Sequence, residues 1–172
     1  MTACSVLRIG VAALALLAPA TMAAAVTPLT EATSNATIIL PLTVTKLQDM
    51  DFGFLAVTTA GTAVLDPDSD TLSVTGGATP VGGAPHCASF VGAAQSNSVV
   101  NIKVPKQPVT LTRAGGTETM TASNFTLQGG LNKKVLAKAD SFTFRVGATL
   151  DIASGQVEGT YVGTFDVTVQ YP

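Results

Sequence analysis

The sequence predicts an all-β protein, an antiparallel β-sandwich, on three observations. Short segments alternate apolar and polar residues with a period of two. Turn-forming residues, 16 Gly and 9 Pro in 172, punctuate those segments. No long segment sets apolar residues at i, i+3, i+4 and i+7 between helix caps, so almost no helix is expected.

The chain begins with a segment of a different kind. Arg8 precedes an apolar run, Ile9 to Ala18, and small residues cluster from Ala20 to Ala25. That three-part layout is a secretory signal peptide, predicting export and cleavage near residue 25. The apolar run is too short to serve as a membrane span, so the mature protein is expected to have none. Residues 1–25 are thus the signal peptide, 26–46 an N-terminal extension and 47–172 a single sandwich domain.

Within the extension, "ATIILPLTVTK" puts Ala36, Ile38, Leu40, Leu42 and Val44 on one side of a strand. "MDFGFLAV" follows, and its Gly53 suggests a bulge or a close backbone approach. "GTAVLDP" and "TLSVTGG" read as two strands around an acidic turn at Pro67–Asp70. Residues 76–86 form a Gly/Pro connection without periodicity, followed by the strands "CASFVGA" and "SVVNIKVP". "VTLT" and "TMTASNFTL" flank "RAGGTE" as a hairpin. "LNKKVLAKAD" is the one candidate for a helical turn and reads better as a surface loop.

"FTFRVGATLDI" is the cleanest strand, with Phe142, Phe144, Val146, Ala148, Leu150 and Ile152 facing one way. "ASGQVEG" then turns the chain into "GTYVGTFDVTVQYP", residues 159–172, where Tyr161, Phe165, Val167, Val169 and Tyr171 share a face. Two such strands around a short Gly-containing loop are expected to pair antiparallel.

Composition excludes several functions. Eleven acidic residues against nine basic ones, with 12% charged overall, give none of the basic footprint of a nucleic-acid binder. There is no polybasic segment for anionic membranes. The 47% hydrophobic content is incompatible with a disordered chain.

Candidate chemistry is sparse, and no enzyme activity or cofactor is expected. His86 and Cys87 are adjacent, but a nucleophile and base must converge in space with an orienting group. "DPDSD" begins like a calcium loop, yet Thr71 and Gly77 stand where an EF-hand needs Gly and Glu. Asp66, Asp68 and Asp70 therefore read as a solvated turn, and no metal site is expected. Asp49 and Asp51 read as turn and strand-edge residues. Asn35 and Asn124 head glycosylation sequons of a kind common by chance in a Thr-rich chain. With no Trp and two Tyr, a sugar platform lacks its best residues. Cys87 is the one cysteine outside the signal peptide and reads as a small buried hydrophobe.

The informative signal lies in the termini. A sandwich of the immunoglobulin type needs a last strand to cover the apolar edge of its sheet, and an open edge invites association. At Gly159, fourteenth from the C-terminal end, and the penultimate Tyr171, the sequence resembles pilus subunits assembled by a periplasmic chaperone and an outer-membrane usher. "LTVTKLQDMDFG", residues 42–53, is similar to the start of spore coat U-type and fimbrial domains. "VGATLDIASGQVEGTYVGTFDVTVQYP" resembles secreted bacterial fimbrial-like domains. Such pilins often carry an intradomain disulfide, which a lone Cys87 cannot form.

The resemblance implies an immunoglobulin-like sandwich lacking its final strand and completed by donor-strand exchange. Ile38, Leu40, Leu42 and Val44 would be the donor residues, entering the groove of a second copy. Gly159, Tyr161, Phe165, Val167, Val169 and Tyr171 would form the C-terminal strand held by the chaperone. The product would be a head-to-tail homopolymer on the cell surface, reached through the periplasm. The competing reading folds residues 36–44 back in cis, giving a self-contained secreted sandwich of a coat or surface layer.

Overall fold

The computed structural model describes residues 36, 38–130 and 134–172. The expected signal peptide, its expected cleavage point and Asn35 lie outside the described residues, and Thr37–Pro172 group as one unit. In chain order the strands are β1 (Thr43–Gln48), β2 (Phe54–Asp66), β3 (Thr71–Gly82), β4 (Ala88–Ala93), β5 (Val99–Lys103) and β6 (Val109–Arg113). There follow β7 (Thr119–Leu127), β8 (Lys134–Leu136), β9 (Ser141–Ile152), β10 (Tyr161–Val162) and β11 (Thr168–Gln170). No helix occurs among the described residues, and every ladder is antiparallel. The all-β antiparallel architecture expected from the sequence is what forms.

The strands make two sheets. The larger runs β1-β4-β9-β7-β6-β10, with β2 laid on β9 and β3 outside β2. The smaller is β11-β5-β8. β9 organises the larger sheet because it is long enough to carry three partners. Residues 141–146 pair with β4, 149–152 with β2, and 146–151 with β7.

Register turns alternation into a core. Thr110, Thr121, Asp151, Thr62 and Thr75 stand opposite one another across five strands, none of them buried. One residue along, Val109, Ala122, Leu150, Ala63 and Val74 make the inward row. A one-residue slip would exchange the two rows, so burial fixes the pairing.

The main apolar cluster joins Phe142, Phe144, Val146 and Ala148 of β9 to Val100 and Ile102 of β5 and to Phe125 and Leu127 of β7. Phe144 stacks on Phe90 and on Phe142, with ring centroids 5.0 and 6.1 Å apart. Gly92 lies opposite Phe142, and a Cβ there would meet the Phe142 ring. A second cluster gathers Ala63, Ala78, Met120, Leu150 and Ile152, capped by Leu55, Val57, Leu72, Leu111 and Tyr161. No polar or charged residue is buried among the described residues, so the core holds no unpaired polar group.

Four local expectations are corrected. β9 does not pair with the C-terminal segment, because its two edges are already taken by β4 and β2 and by β7. Residues 159–172 are not one strand: Tyr161–Val162 pair with β6, and Thr168–Gln170 cross to β5 in the other sheet. The connection expected at 76–86 is strand as far as Gly82, because β2 and β3 continue as a bulged ribbon to Phe54 and Gly82. Within "LNKKVLAKAD", Lys134–Leu136 form β8 on the edge of β5 rather than a loop.

Candidate functional site

The residues singled out at the two ends meet at one contact, between Leu40 and Tyr171, next to β11. From Tyr161 to Tyr171 the odd positions Tyr161, Phe165, Val167, Val169 and Tyr171 are half-buried, while the even ones and Gly163 are exposed. The period of two therefore holds for burial although the chain changes sheet midway. Phe165, Val167, Val169 and Tyr171 pack on the main cluster, and Tyr161 on the second. The Phe125 and Phe165 rings lie 5.1 Å apart, tilted by 40°. β11 pairs with β5 through Thr168–Lys103, Val169–Ile102 and Gln170–Asn101. Its other edge has no strand partner among the described residues.

The proposed donor residues divide into two groups. Val44 lies on β1, opposite Gly92 of β4, and Leu42 is half-buried against the main cluster. Both are placed in cis. Ile38 and Leu40 belong to no strand and are 95% and 42% exposed. Between the two groups the backbone is held at one point. The Tyr171 hydroxyl donates to the Leu40 carbonyl at 2.8 Å and accepts from the Gln95 N–H at 3.0 Å.

Gly159, taken from the resemblance as a marker of the last strand, has a local cause. Its φ is +145°, and a Cβ would lie 2.7 Å from Arg113 Cδ and 2.9 Å from Arg113 Cγ. The Arg113 side chain is fixed because its Nε donates to Glu118 Oε2 at 2.6 Å. That charge-assisted bond holds the Glu118 carboxyl at about 2, against an ordinary 4.5. Tyr161 is pinned similarly: its hydroxyl donates to the Val157 carbonyl at 2.7 Å and accepts from Gln156 Nε2 at 2.6 Å.

The remaining candidates are engaged in structure. Asp66 accepts from the Asp68 N–H and the Ser69 hydroxyl, which lowers its pKa, backbone bond first. Asp68 accepts from the Gly129 N–H at 2.6 Å, and Asp70 accepts from the Cys87 N–H at 2.8 Å. The three carboxylates are exposed, as expected, and together accept from four donors rather than converging on one point. No trio of His, Cys, Asp or Glu suited to a metal forms among the described residues.

Cys87 is buried, and desolvation, followed by the Asp70 bond, pushes its thiol up to about 12. His86 exchanges backbone bonds with Asp51 at 2.8 and 3.0 Å, and its Nδ1 lies 2.5 Å from the Ala84 carbonyl oxygen. Cys87 and His86 are thus each held by separate structural contacts. Asp49 pairs with Lys46, and Asp51 Oδ1 accepts from the Gly53 N–H, an Asx turn.

Two shallow grooves open on the surface. One, of about 420 Å³, lies between Lys103–Val109 and Thr164–Thr168, beside Phe165. The other, of about 500 Å³, runs over Met120 and Ile152 between Thr62, Thr121, Asp151 and Gln156.

Residues 42–171 match a family described as Domain of unknown function (DUF4402). The chain belongs to this family. The DUF4402 match begins at Leu42 and ends at Tyr171, so it spans both β1 and β11 and leaves Ile38 and Leu40 outside. No curated protein matches the chain.

Sequence reasoning missed Arg113, Glu118 and Gln95. Arg113 and Glu118 flank an ordinary Gly-containing turn, and nothing local tells that the arginine will lie across Gly159. Gln95 acts through its backbone N–H, which no side-chain pattern reports.

Proposed function

We propose that this protein is a structural subunit of an extracellular fibre, in which the apolar N-terminal segment of one copy completes the edge of β11 in the next. The observation that carries the reading is a complementary pair within one chain. Among the described residues β11 has a strand on one side only, above the half-buried row Phe165, Val167, Val169 and Tyr171. The same chain carries an alternating apolar segment whose Ile38 and Leu40 are exposed and outside every ladder. An edge strand of this kind accepts an extended segment by main-chain bonds, with alternate side chains supplying specificity. Burying Ile38 and Leu40 fully would contribute about 1.5–3 kcal/mol each before ordering costs. A head-to-tail contact repeated without closing on itself gives a fibre. A periplasmic chaperone and an outer-membrane usher would be the assembly partners, and the cell surface the destination.

The test removes residues 26–42 and leaves β1 whole. Under this reading the shortened protein folds but no longer polymerises, and a peptide of residues 30–42 binds it. Leu40→Asp blocks polymerisation without unfolding the subunit. A second reading has its own support, because β1 pairs with β4 and Leu42 packs on the core of the same copy. In that reading the protein is a self-contained sandwich of a coat or surface layer. Wild-type protein that stays monomeric at high concentration, and that binds no peptide after the deletion, supports it instead.

A further inference from the structure

We infer that the Tyr171 hydroxyl is a latch that holds the exchangeable N-terminal segment in cis, and that this segment ends at Leu42, with β1 remaining in its own subunit. The inference rests on the fibre reading above and specifies how that site is regulated.

Three observations converge on it. First, β1 is committed: Thr43, Val44, Thr45 and Lys46 pair in register with β4, and Gln48 pairs with it again past a bulge. Moving Val44 to another copy would break that ladder, so the pivot lies between Leu42 and Thr43. Second, Leu42 packs on the main cluster, but the chain before it has little holding it. Ile38, Ile39 and Leu40 are exposed, at 95%, 49% and 42%, and join no ladder. Large apolar side chains left in water favour any partner that covers them. Third, the one side-chain hydrogen bond to this stretch among the described residues comes from β11's own end. The Tyr171 hydroxyl donates to the Leu40 carbonyl while accepting from the Gln95 N–H. Gln95 sits in a turn that is itself anchored, since Ala94 and Ser96 donate to the Asp140 carbonyl and carboxylate. The phenol thus ties the segment to an anchored turn just after β4.

A contact of this kind competes with exchange. Before this copy's segment can enter another copy, it must release the Leu40 carbonyl from Tyr171. A neutral hydrogen bond stabilises by roughly 0.5–1.5 kcal/mol net, which is about a two- to tenfold effect on the released population. Removing the hydroxyl should therefore speed release without disturbing the ring, which stays packed on the main cluster.

The test compares full-length exported wild-type protein with Tyr171→Phe. Limited thermolysin cleavage before Ile38 and Ile39 reads release in the monomer, because a protease needs several free residues on both sides of the bond, Leu40 among them. Pro41 makes the Leu40–Pro41 bond itself a poor site. The expected result is cleavage about two- to tenfold faster in Y171F, with cleavage before the exposed Phe54 unchanged. Equal rates at Ile38 and Ile39 overturn the latch, and so does a parallel rise at Phe54, because that reports general loosening. Oligomer growth, followed by light scattering, should accelerate by the same factor. Faster cleavage in Y171F, with both proteins growing at the same rate, overturns the regulatory role. Failure of the fibre reading looks different: neither protein grows, and Leu40→Asp changes nothing. Cleavage before Val44 and Leu47 keeping pace with that at Ile39 would overturn the pivot.

Discussion

Asp70 reaches 17 residues along the chain to accept the Cys87 backbone N–H at 2.8 Å. Asp70 ends the β2–β3 turn with φ at 57°, a left-handed conformation that Asp and Asn tolerate better than most residues. Its second oxygen lies 3.9 Å from Arg145 Nη1, and Arg145 also donates to the Pro67 carbonyl at 3.3 Å. With Asp68 on the Gly129 N–H, the turn is fastened to the start of β4, the end of β7 and the middle of β9. The acidic turn is exposed, as its sequence suggests, and it also clamps three strands together.

Replacing Asp70 with Ala should destabilise the fold by about 1–2 kcal/mol, by loss of a charged acceptor and of a residue suited to positive φ. Asp70→Asn keeps the backbone preference and one acceptor, so it should cost less than half as much. Cys87 gives a second readout. Its thiol is buried and held protonated, so in the wild type it should label slowly with a thiol reagent at about pH 8. Asp70→Ala should label faster, with Asp70→Asn between. Equal rates in all three would mean that the clamp does not guard Cys87.

Gly159→Ala should destabilise by about 1–3 kcal/mol, because φ is +145° and the new Cβ would press on Arg113 Cδ. Arg113 cannot swing aside without giving up Glu118. In an Arg113→Ala background the steric part disappears and the backbone part stays. Urea denaturation of the double-mutant cycle should therefore show coupling, with Gly159→Ala costing less once Arg113 is gone. Strict additivity would remove Arg113 as the reason for glycine.

The aromatic centre of the main cluster should dominate stability. Phe144 is buried between Phe90 and Phe142, so Phe144→Ala should cost about 3–5 kcal/mol. Phe54 is 70% exposed at the base of the β2–β3 ribbon, and Phe54→Ser should stay within about 0.5 kcal/mol. The two midpoints in guanidinium chloride separate a Phe that packs from one that does not.

How far the sequence reports the fold depends on the distance over which each feature is decided. Alternation in 141–152 is decided by whether neighbouring side chains face a core, and β9 buries Phe142, Phe144, Val146, Ala148, Leu150 and Ile152 together. The β2–β3 and β6–β7 hairpins are legible for the same reason, since each turn lies between its strands. Partner choice is not local. Tyr161 and Val169 look alike in sequence, yet one packs under β6 and the other beside β5. What decides between sheets is that β9 is already flanked on both edges, a fact about β4, β2 and β7. The candidate site was legible as two apolar stretches. That Tyr171 touches Leu40, 131 residues away, was not.

The Arg113 guanidinium holds the Glu118 carboxyl at about 2 when folded, below the ordinary 4.5. A depressed folded pKa means that the ionised form is the stabilising one. Its contribution is complete above about pH 4.5 and is lost as pH falls toward 2. Arg113 stays charged throughout, so the loss belongs to Glu118 alone. Thermal melts from neutral pH down to about pH 2 should show the wild type above Glu118→Gln at the neutral end, with the gap closing as pH falls from 4.5 toward 2. Because the pair is partly exposed, added salt should narrow the neutral-pH gap. A gap that persists at the acid end would show that the Glu118→Gln substitution disturbs the turn by packing rather than by charge.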